Sequence, residues 1–224
     1  MKASKNKIFL EIGGVPIFAR TLAAFESSAV IDEIIVVAHP DEMDYFQHTA
    51  LKTYQFSKIT NVTGGGTTRR RSEMNALNTL RQRIIRHEID LLLIHDGARP
   101  FTAESIIVNV LQAAEAFGGA ITAVPELSGD EIFAVDSSGS IQRVFHSGSL
   151  WNAQTPQAFR AADLLDVYDA AERDDFDGTD TASCFERYGR RVKVIYGSVN
   201  NIKITTPDDL AAAEHIIANN HIEE

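Results

Sequence analysis

Leu91–Phe101 has the sequence LLLIHDGARPF, in which an apolar run is followed directly by polar and turn-forming residues. Such a run is typical of a β-strand that is covered on both faces of a parallel sheet. We predict that this strand ends at Ile94, so that His95, Asp96 and Arg99 emerge at its carboxyl end. Since α/β proteins bind ligands outside the carboxyl ends of their strands, this stretch is expected to border a functional site.

The pattern of apolar runs continues on both sides of this stretch. Further strands are predicted at Ile34–Ala38, Ala120–Val124 and Val192–Ile195. Residues at helical spacing predict helices at Ile17–Phe25, Ser72–Ile85, Ala103–Phe117, Ala161–Ala171 and Pro207–Ala218. Strands that alternate with helices indicate an α/β fold, here a Rossmann-like, mainly parallel sheet flanked by helices. At 224 residues, the chain is predicted to form a single domain.

Residues 127–152 interrupt the alternation. A turn at Ser137–Ser140 lies between two strand-like segments, Ile132–Val135 and Ile141–Phe145, which predicts an inserted β-hairpin. The segment carries several apolar side chains that a hairpin would expose: Phe133, Val144, Phe145 and Trp151. We therefore predict an arm that packs against a partner subunit to form a homodimer. The alternative is an ordinary hairpin at the edge of the sheet.

Composition and charge narrow the functional classes. The chain has 21 Lys and Arg against 31 Asp and Glu, a formal charge of −10, which argues against binding of nucleic acid or of an anionic membrane. No apolar run reaches the roughly 20 residues of a membrane-spanning helix, and the first residues do not form a secretory signal. The single cysteine, Cys184, excludes a disulfide framework and is expected to be buried in a helix. These features predict a cytoplasmic protein.

Two further segments carry polar groups suited to anions. Gly64–Ser72 (GGGTTRRRS) combines glycines and hydroxyls at a predicted helix start, which suits a phosphate cradle, although a run of arginines is more often a solvated face. Asp96 is a candidate for binding a metal or a hydroxyl, and Arg99 for binding a phosphate. Alternatively, Asp96 and Arg99 simply pair with each other within a turn.

For two lysines near the ends of the chain, Lys203 and Lys7, the local sequence alone does not indicate a function. Asn201–Thr205 (NIKIT) has the alternation of a β-strand, with Lys203 on the face opposite its isoleucines. Lys203 is either an edge-strand lysine or a phosphate ligand near Asp96. Lys7 follows a polar start, MKASKN, that leaves no room for the strand and glycine-rich loop that open most nucleotide-binding domains. Either the fold is a different one, or those elements are absent from this chain.

Together these segments resemble one family, the 2-C-methyl-D-erythritol 4-phosphate cytidylyltransferases of the non-mevalonate isoprenoid pathway. The matching stretches follow the family's order: KIFLEIGG (Lys7–Gly14), IHDGARPF (Ile94–Phe101), WNAQTPQAF (Trp151–Phe159), TDTAS (Thr179–Ser183) and NNIKITTPDDL (Asn200–Leu210). The related ribitol 5-phosphate cytidylyltransferases share much of this pattern. The resemblance therefore covers two acceptors, 2-C-methyl-D-erythritol 4-phosphate and ribitol 5-phosphate.

The resemblance implies a nucleotidyltransferase that joins CTP to a sugar-alcohol phosphate, with Mg²⁺ as cofactor and pyrophosphate as product. By matching position, Lys7 and Lys203 are the expected catalytic residues, Lys7 at the α-phosphate and Lys203 at the acceptor phosphate. The expected ligands of CTP are Gly66, Arg69 and Ser72, and those of the acceptor are Asp96, Arg99 and Thr155. Neither the resemblance nor the residues identify metal ligands.

The chain also departs from the family pattern. The family's glycine-rich loop, with an arginine that braces the triphosphate, would lie before Met1. In the arm, an Asp-Thr-x-Lys pattern aligns with Asp130–Phe133, where Glu131 and Phe133 replace a hydroxyl and a cation, and Ser147 takes the place of an arginine. These changes remove positive charge from the acceptor side, and the loop is missing. The alternatives to an enzyme for 2-C-methyl-D-erythritol 4-phosphate are therefore a non-catalytic or divergent paralogue, or a cytidylyltransferase for another alcohol phosphate such as ribitol 5-phosphate.

Overall fold

The predicted alternation of strands and helices is present in the computed structural model, which describes residues 6–126 and 129–219. In these ranges the strands are β1 (Glu11–Ile12), β2 (Val15–Pro16), β3 (Ile34–Ala38), β4 (Ile59–Gly64), β5 (Leu91–Ile94), β6 (Gly119–Pro125), β7 (Glu131–Val135), β8 (Ile141–His146), β9 (Trp151–Arg160) and β10 (Lys193–Tyr196). The helices are α1 (Ile17–Ser27), α2 (Met43–Tyr45), α3 (Leu51–Tyr54), α4 (Arg69–Ile85), α5 (Glu104–Phe117), α6 (Ala161–Arg173), α7 (Thr181–Arg187) and α8 (Pro207–Ala218). Single 3₁₀ turns lie at Lys7–Phe9, Pro40–Glu42 and Ser147–Ser149, and a π turn at Phe46–Ala50.

The main sheet has the strand order β10-β6-β9-β5. β10 and β6 are parallel, whereas β9 runs antiparallel to both of its neighbours, β6 and β5. A second, separate pair is formed by β3 and β4, which are parallel. The predicted α/β class is confirmed: β10, β6 and β5 run in the same direction, and β9 alone in this sheet runs in the opposite one.

β9 was not predicted, since its sequence resembles a loop. Pro156 lies within it, and proline is normally confined to the edges of sheets. Its buried polar side chains find long-range partners: Gln154 Nε2 donates to the carbonyl oxygen of Ser198 at 2.8 Å. The buried amide of Gln154 is therefore satisfied by a residue 44 positions away, which the local sequence does not show.

β5 lies at the edge of the main sheet, with β9 as its only strand partner in the described part of the chain. All its residues, Leu91–Ile94, are half-buried rather than fully covered. The loop that follows it, which carries His95, Asp96 and Arg99, therefore lies at one border of the sheet. α4, α6 and α7 pack with β6 and β9 around a core that includes Phe159, Leu164 and Phe185.

Local capping sets the ends of two helices near the site. α4 begins at Arg69, earlier than predicted, because the Thr68 side chain accepts a hydrogen bond from the Arg71 N–H at 3.2 Å. α8 begins at Pro207 after a reciprocal capping box between Thr206 and Asp209. Cys184 is buried in α7, as predicted.

The predicted strand at Asn201–Thr205 is wrong. These residues form a connection that has no regular secondary structure and belongs to no sheet. Ile204 is buried and donates its backbone N–H to the Ala98 carbonyl oxygen at 2.9 Å. This backbone contact joins the segment to the loop that follows β5 without continuing into a ladder.

The inserted hairpin is present. β7 and β8 pair in antiparallel register, with Phe133 opposite Val144 and Ile132 opposite Phe145. Leu127 and Ser128, at the start of the predicted arm, lie outside the described residues. Among the described residues, no helix is long and apolar enough to cross a bilayer.

The close approach of β6 to β9 can be tested at Gly119, a buried residue. A Cβ at this position would lie 2.8 Å from Cδ1 of Phe159, whose ring is fully buried against Phe185. We expect Gly119→Ala to lower the free energy of unfolding by about 1–3 kcal/mol through overpacking, measured by urea denaturation. Gly148→Ala is the control, because its Cβ would meet no atom within 4 Å. Equal stability of the two variants would contradict the close contact.

Candidate active site

Asp96, in the loop after β5, is the common partner of three cationic side chains. Lys203 Nζ lies 2.8 Å from Asp96 Oδ2, and Arg69 Nη1 lies 3.4 Å from Oδ1. Arg99 Nε lies 3.8 Å from Oδ2. The structure thus brings together residues that are more than 100 positions apart in sequence, from α4, the loop after β5 and the segment before α8.

Burial and charge act in opposite directions on this cluster. Burial alone would raise the pKa of Asp96, but the hydrogen bond from Lys203 and the charges of Arg69, Lys203 and Arg99 hold it below its usual value. The pKa of Arg99 is lowered by burial and by the charge of Arg69, against the opposing effect of Asp96. Asp96 is therefore ionised at neutral pH, and its charge offsets the repulsion among the three cations.

A hydrogen-bonded chain through His95 fixes the Asp96 loop on β9. Thr155 Oγ1 accepts the backbone N–H of Asp96 at 3.0 Å and lies 3.1 Å from His95 Nδ1. His95 Nε2 lies 2.9 Å from the carbonyl oxygen of Arg99. Burial lowers the pKa of His95 to about 4, so the ring is neutral at pH 7. Since a carbonyl oxygen can only accept, we assign the proton to Nε2, and Nδ1 then accepts from the Thr155 hydroxyl.

Asn201 joins the same loop to the segment that carries Lys203. It is fully buried, and its Nδ2 donates to the Thr155 carbonyl oxygen at 2.8 Å. Its own carbonyl oxygen accepts from Arg99 Nη1 at 2.7 Å. These two bonds position Arg99 and bring Lys203, two residues further on, next to Asp96.

The glycine-rich segment packs against the first turn of α4. The Gly66 N–H donates to Ser72 Oγ at 3.0 Å, and this hydroxyl donates to the Thr68 carbonyl oxygen at 2.9 Å. A Cβ at Gly66 would lie 2.5 Å from Cβ of Arg71, so only glycine fits without a shift. Gly66 and Ser72 are therefore neighbours, within one turn of Arg69.

The three consecutive arginines have different environments, and the prediction of a solvated face is wrong for two of them. Arg71 is exposed and Arg69 is half-buried at Asp96. Arg70 is only 3 % exposed, with Nη1 at 2.6 Å from Glu172 and Nε at 3.2 Å from Asp177. It ties α4 to α6 and to the loop before α7.

Lys7 is not joined to this cluster. It begins the 3₁₀ turn Lys7–Phe9 and is half-buried, and within the described residues its ammonium group has no hydrogen bond or ion pair. The neighbouring Phe9 packs on Phe18 and Phe46 in a separate apolar cluster. The expected role of Lys7 stays a prediction.

Two residues of the site were missed by the sequence analysis. Glu73 accepts a hydrogen bond from Arg69 Nε at 2.8 Å. The sequence could have indicated this pair, because an acid and an arginine four residues apart on a helix lie next to each other. Asn201 had no signal of its own, because its partners Thr155 and Arg99 are distant in sequence.

The model of the 2-C-methyl-D-erythritol 4-phosphate cytidylyltransferase (IspD) family matches residues 1–219 of the chain. The chain belongs to this family. The 2-C-methyl-D-erythritol 4-phosphate cytidylyltransferase of Geobacter metallireducens is 40% identical over 217 residues, which cover 97% of this chain and 91% of that protein. The enzyme of the same name from Clostridium acetobutylicum is 38% identical over 223 residues, 100% of this chain and 94% of that protein.

Solved structures of IspD proteins agree with this assignment. The 4-diphosphocytidyl-2C-methyl-D-erythritol synthase of Anaerococcus prevotii has a TM-score of 0.81 and 31% identity, covering 93% of this chain and 88% of that chain. The 2-C-methyl-D-erythritol 4-phosphate cytidylyltransferase of Thermus thermophilus has a TM-score of 0.75 and 29% identity, covering 96% of this chain and 95% of that chain. The fold and the family identified from the sequence are confirmed.

The neutral, half-buried His95 makes a testable contribution to the pH dependence of stability in this IspD-family protein. Its pKa is about 4 in the folded protein and about 6.5 when unfolded, so between these values the unfolded chain binds more protons. Stability should therefore fall as the pH is lowered through this window, by about 3 kcal/mol from this group.

His95→Asn should remove that part of the pH dependence, whatever its effect at pH 7. The measurement is the free energy of unfolding from urea denaturation at a series of pH values between 4 and 7. The same substitution at the exposed His146 is the control. An unchanged pH slope in His95→Asn would contradict a neutral His95.

Proposed function

We propose that this chain transfers the cytidylyl group of CTP to 2-C-methyl-D-erythritol 4-phosphate and releases pyrophosphate. Membership of the IspD family supports this activity, and one feature of the site carries it: three cations converge on the loop after β5. Two of their nitrogens, Arg69 Nη2 and Arg99 Nε, are buried and have no hydrogen-bond partner in the described part of the chain. Phosphate oxygens are suitable acceptors for such groups.

The reaction requires little covalent chemistry from the protein. A phosphate oxygen of the acceptor forms a bond to the α-phosphorus of CTP while the bond from that phosphorus to the β-phosphate oxygen breaks, and pyrophosphate leaves with the electron pair. Negative charge accumulates on the transferring group, so catalysis depends on positioning and on nearby cations.

Lys203 is proposed to hold the acceptor phosphate. Its ammonium group has three donors, of which one is used by Asp96, and its side chain is 41% exposed. Lys7 is proposed to stabilise the α-phosphate. Asp96, Arg99 and Thr155 would line the acceptor side, where the chain from Asp96 through Thr155 to His95 keeps the loop in place.

The CTP side is proposed to lie at the start of α4. Gly66 is exposed and has no side chain to prevent a base from reaching its backbone. Ser72 holds the Gly66 N–H, and Arg69, three residues earlier, points towards Asp96. These contacts support a nucleotide that extends from the glycine-rich loop to the cationic cluster.

Magnesium is the cofactor that family membership suggests. Within the described residues, no group of three or more His, Cys, Asp and Glu is placed to hold a metal ion, and Asp96 is already paired with Lys203. The residues present therefore do not form a separate protein site for magnesium. Because Mg²⁺ in such enzymes is bound largely through substrate phosphates, we infer that it enters with CTP and neutralises part of its charge.

The central prediction concerns Lys203. With CTP, 2-C-methyl-D-erythritol 4-phosphate and Mg²⁺, the wild-type protein should release pyrophosphate, measured by a coupled assay. Lys203→Ala should lower kcat/KM at least about 10-fold, since a lost charged hydrogen bond costs about 1.5–3 kcal/mol. Lys7→Ala should likewise lower it. Lys193→Ala is the matched control, because Lys193 lies over the Phe117 ring, away from Asp96.

Two outcomes would contradict the proposal. Absence of pyrophosphate release with both 2-C-methyl-D-erythritol 4-phosphate and ribitol 5-phosphate would exclude the transfer reaction. Calorimetric binding of CTP without turnover would instead favour the non-catalytic paralogue. Weak binding of the acceptor would be compatible with the enzyme, because Glu131 and Ser147 place an acid and a neutral hydroxyl in the arm.

We further infer that the protein is a cytoplasmic homodimer that pairs through the hairpin arm. Four neighbouring side chains on one face of the hairpin are apolar and largely open to solvent: Phe133 is 45% exposed, Val144 47%, Val135 58% and Ile141 59%. Trp151, at the base of the arm, stacks edge-on against the exposed Tyr196. A continuous apolar face of this kind is typical of a surface that is covered by another subunit.

Introduction of a charge on this face tests the dimer. Val144→Glu should convert a species of twice the 24.6 kDa chain mass into a monomer, measured by sedimentation velocity. The reason is that an unpaired carboxylate cannot be buried in an apolar interface without a large penalty. Ser137→Glu, at the exposed tip of the hairpin, adds the same charge and should leave the dimer intact. A wild-type monomer at micromolar concentration would contradict the proposal.

A further inference from the structure

Glu73 is a nearly buried carboxylate one turn into α4, with 11% of its side chain exposed. It lies on the same helix as the arginine that reaches Asp96, but it is not part of the cationic cluster itself. A carboxylate in such a place needs hydrogen-bond donors or cations around it, because its charge is costly to bury alone. The identity of these donors shows what Glu73 does.

The Glu73 carboxylate accepts hydrogen bonds from three elements of the fold. Oε1 accepts from Arg69 Nε at 2.8 Å, within α4. Oε2 accepts from the Thr181 hydroxyl at 2.8 Å, at the first residue of α7, and from the Tyr168 hydroxyl in α6. One oxygen thus faces the site, and the other faces the helices packed behind it.

The helical side of this arrangement is rigid. Tyr168 is 1% exposed and Thr181 is completely buried. Thr181 also follows directly on Asp180, whose side chain caps α7 in a reciprocal capping box with Ser183. Glu73 therefore cannot turn away without leaving buried hydroxyls unsatisfied, which fixes the direction of its Oε1.

The consequence for Arg69 is a fixed guanidinium plane. Its Nε is held by Glu73, and its Nη1 is directed at Asp96, 3.4 Å away. Its remaining nitrogen, Nη2, is buried and without a partner in the described residues. Without the bond at Nε, rotation about the side chain would allow Arg69 to leave the cleft, and the donors would no longer be directed at one place.

We propose that Glu73 is a positioning residue that orients the Arg69 guanidinium for CTP, using Thr181 and Tyr168 as its support. This inference depends on the proposed function, because Arg69 is assigned to the CTP side of the site. Glu73 itself touches no substrate in this scheme. Its effect on the reaction passes entirely through Arg69.

A purely structural role of Glu73 makes a different prediction. If the carboxylate only tied α4 to α6 and α7, its loss would lower the melting temperature and leave the kinetics of the folded enzyme unchanged. The ion pair between Arg81 and Asp169 provides the comparison, since it joins the same two helices, α4 and α6, with distances of 2.8 and 2.7 Å. Neither of these residues contacts the cationic cluster.

The test is a double-mutant cycle with Glu73→Gln and Arg69→Ala. For each variant, KM for CTP and kcat are measured by steady-state kinetics, and the affinity for CTP is measured by calorimetry. Glutamine keeps the size of the side chain and removes its charge. We expect Glu73→Gln to raise KM for CTP about 10-fold with a smaller change in kcat. The reason is that the variant loses an interaction that stabilises bound CTP and the transition state about equally. In the Glu73→Gln background, Arg69→Ala should cost at least about fivefold less than in the wild type, since the two residues act as one unit. Asp169→Asn should lower the melting temperature without changing KM.

A second pair of variants keeps the proposal testable if Glu73→Gln does not fold. Thr181→Val removes one donor to Glu73 and should raise KM for CTP about threefold, whereas Thr181→Ser keeps the hydroxyl and should restore it. Additive effects of Glu73→Gln and Arg69→Ala would overturn the proposed role of Glu73 and leave the proposed function standing. An unchanged KM in both Glu73→Gln and Thr181→Val would do the same. A wild-type protein that neither binds nor turns over CTP would overturn this inference together with the proposed function.

Discussion

One ionised carboxylate, that of Asp96, allows three positive side chains to share a cleft. Lys203, Arg69 and Arg99 would repel one another at these distances, and each is partly removed from water. Desolvation opposes the charge on Asp96, yet the three cations keep it ionised. The cluster therefore forms as a unit: without the carboxylate the cations would separate, and without the cations the carboxylate would be buried at a high cost.

Apart from the Glu73 carboxylate at Arg69, the contacts described around this unit are neutral hydrogen bonds. Thr155 and Asn201 join β9, the loop after β5 and the segment before α8 through hydroxyl, amide and carbonyl groups. His95 takes part as a neutral ring because burial depresses its pKa. These neutral groups fix the geometry of the loop without adding to the charge at Asp96.

The sequence predicted what local pattern controls. The apolar run that ends at Ile94 placed Asp96 and Arg99 at a strand end, and helical spacing located the main helices. The features that the sequence did not predict depend on contacts with residues that are distant along the chain. β9 contains Pro156 and polar residues such as Gln154 whose partners come from elsewhere. Lys203 lies in a connection rather than in a strand, and the buried Arg70 pairs with one acid on α6 and one in the loop before α7. Family resemblance, rather than residue chemistry, singled out Thr155 and Lys7.

Residues in and next to the first turn of α4 make contacts with several parts of the site. Thr68 caps it, Ser72 holds Gly66, Arg69 reaches Asp96, and Arg70 binds acids near α6 and α7. Local opening of this turn would break all of these contacts together, so it belongs to one cooperative unit with the helices behind it. The amides of Arg71 and Ser72, which donate to Thr68, should consequently exchange with solvent mainly in large-scale openings, and the glycine-rich loop should be ordered before any nucleotide binds. Little conformational entropy would then be left to lose on binding, which favours affinity over adaptability to other bases.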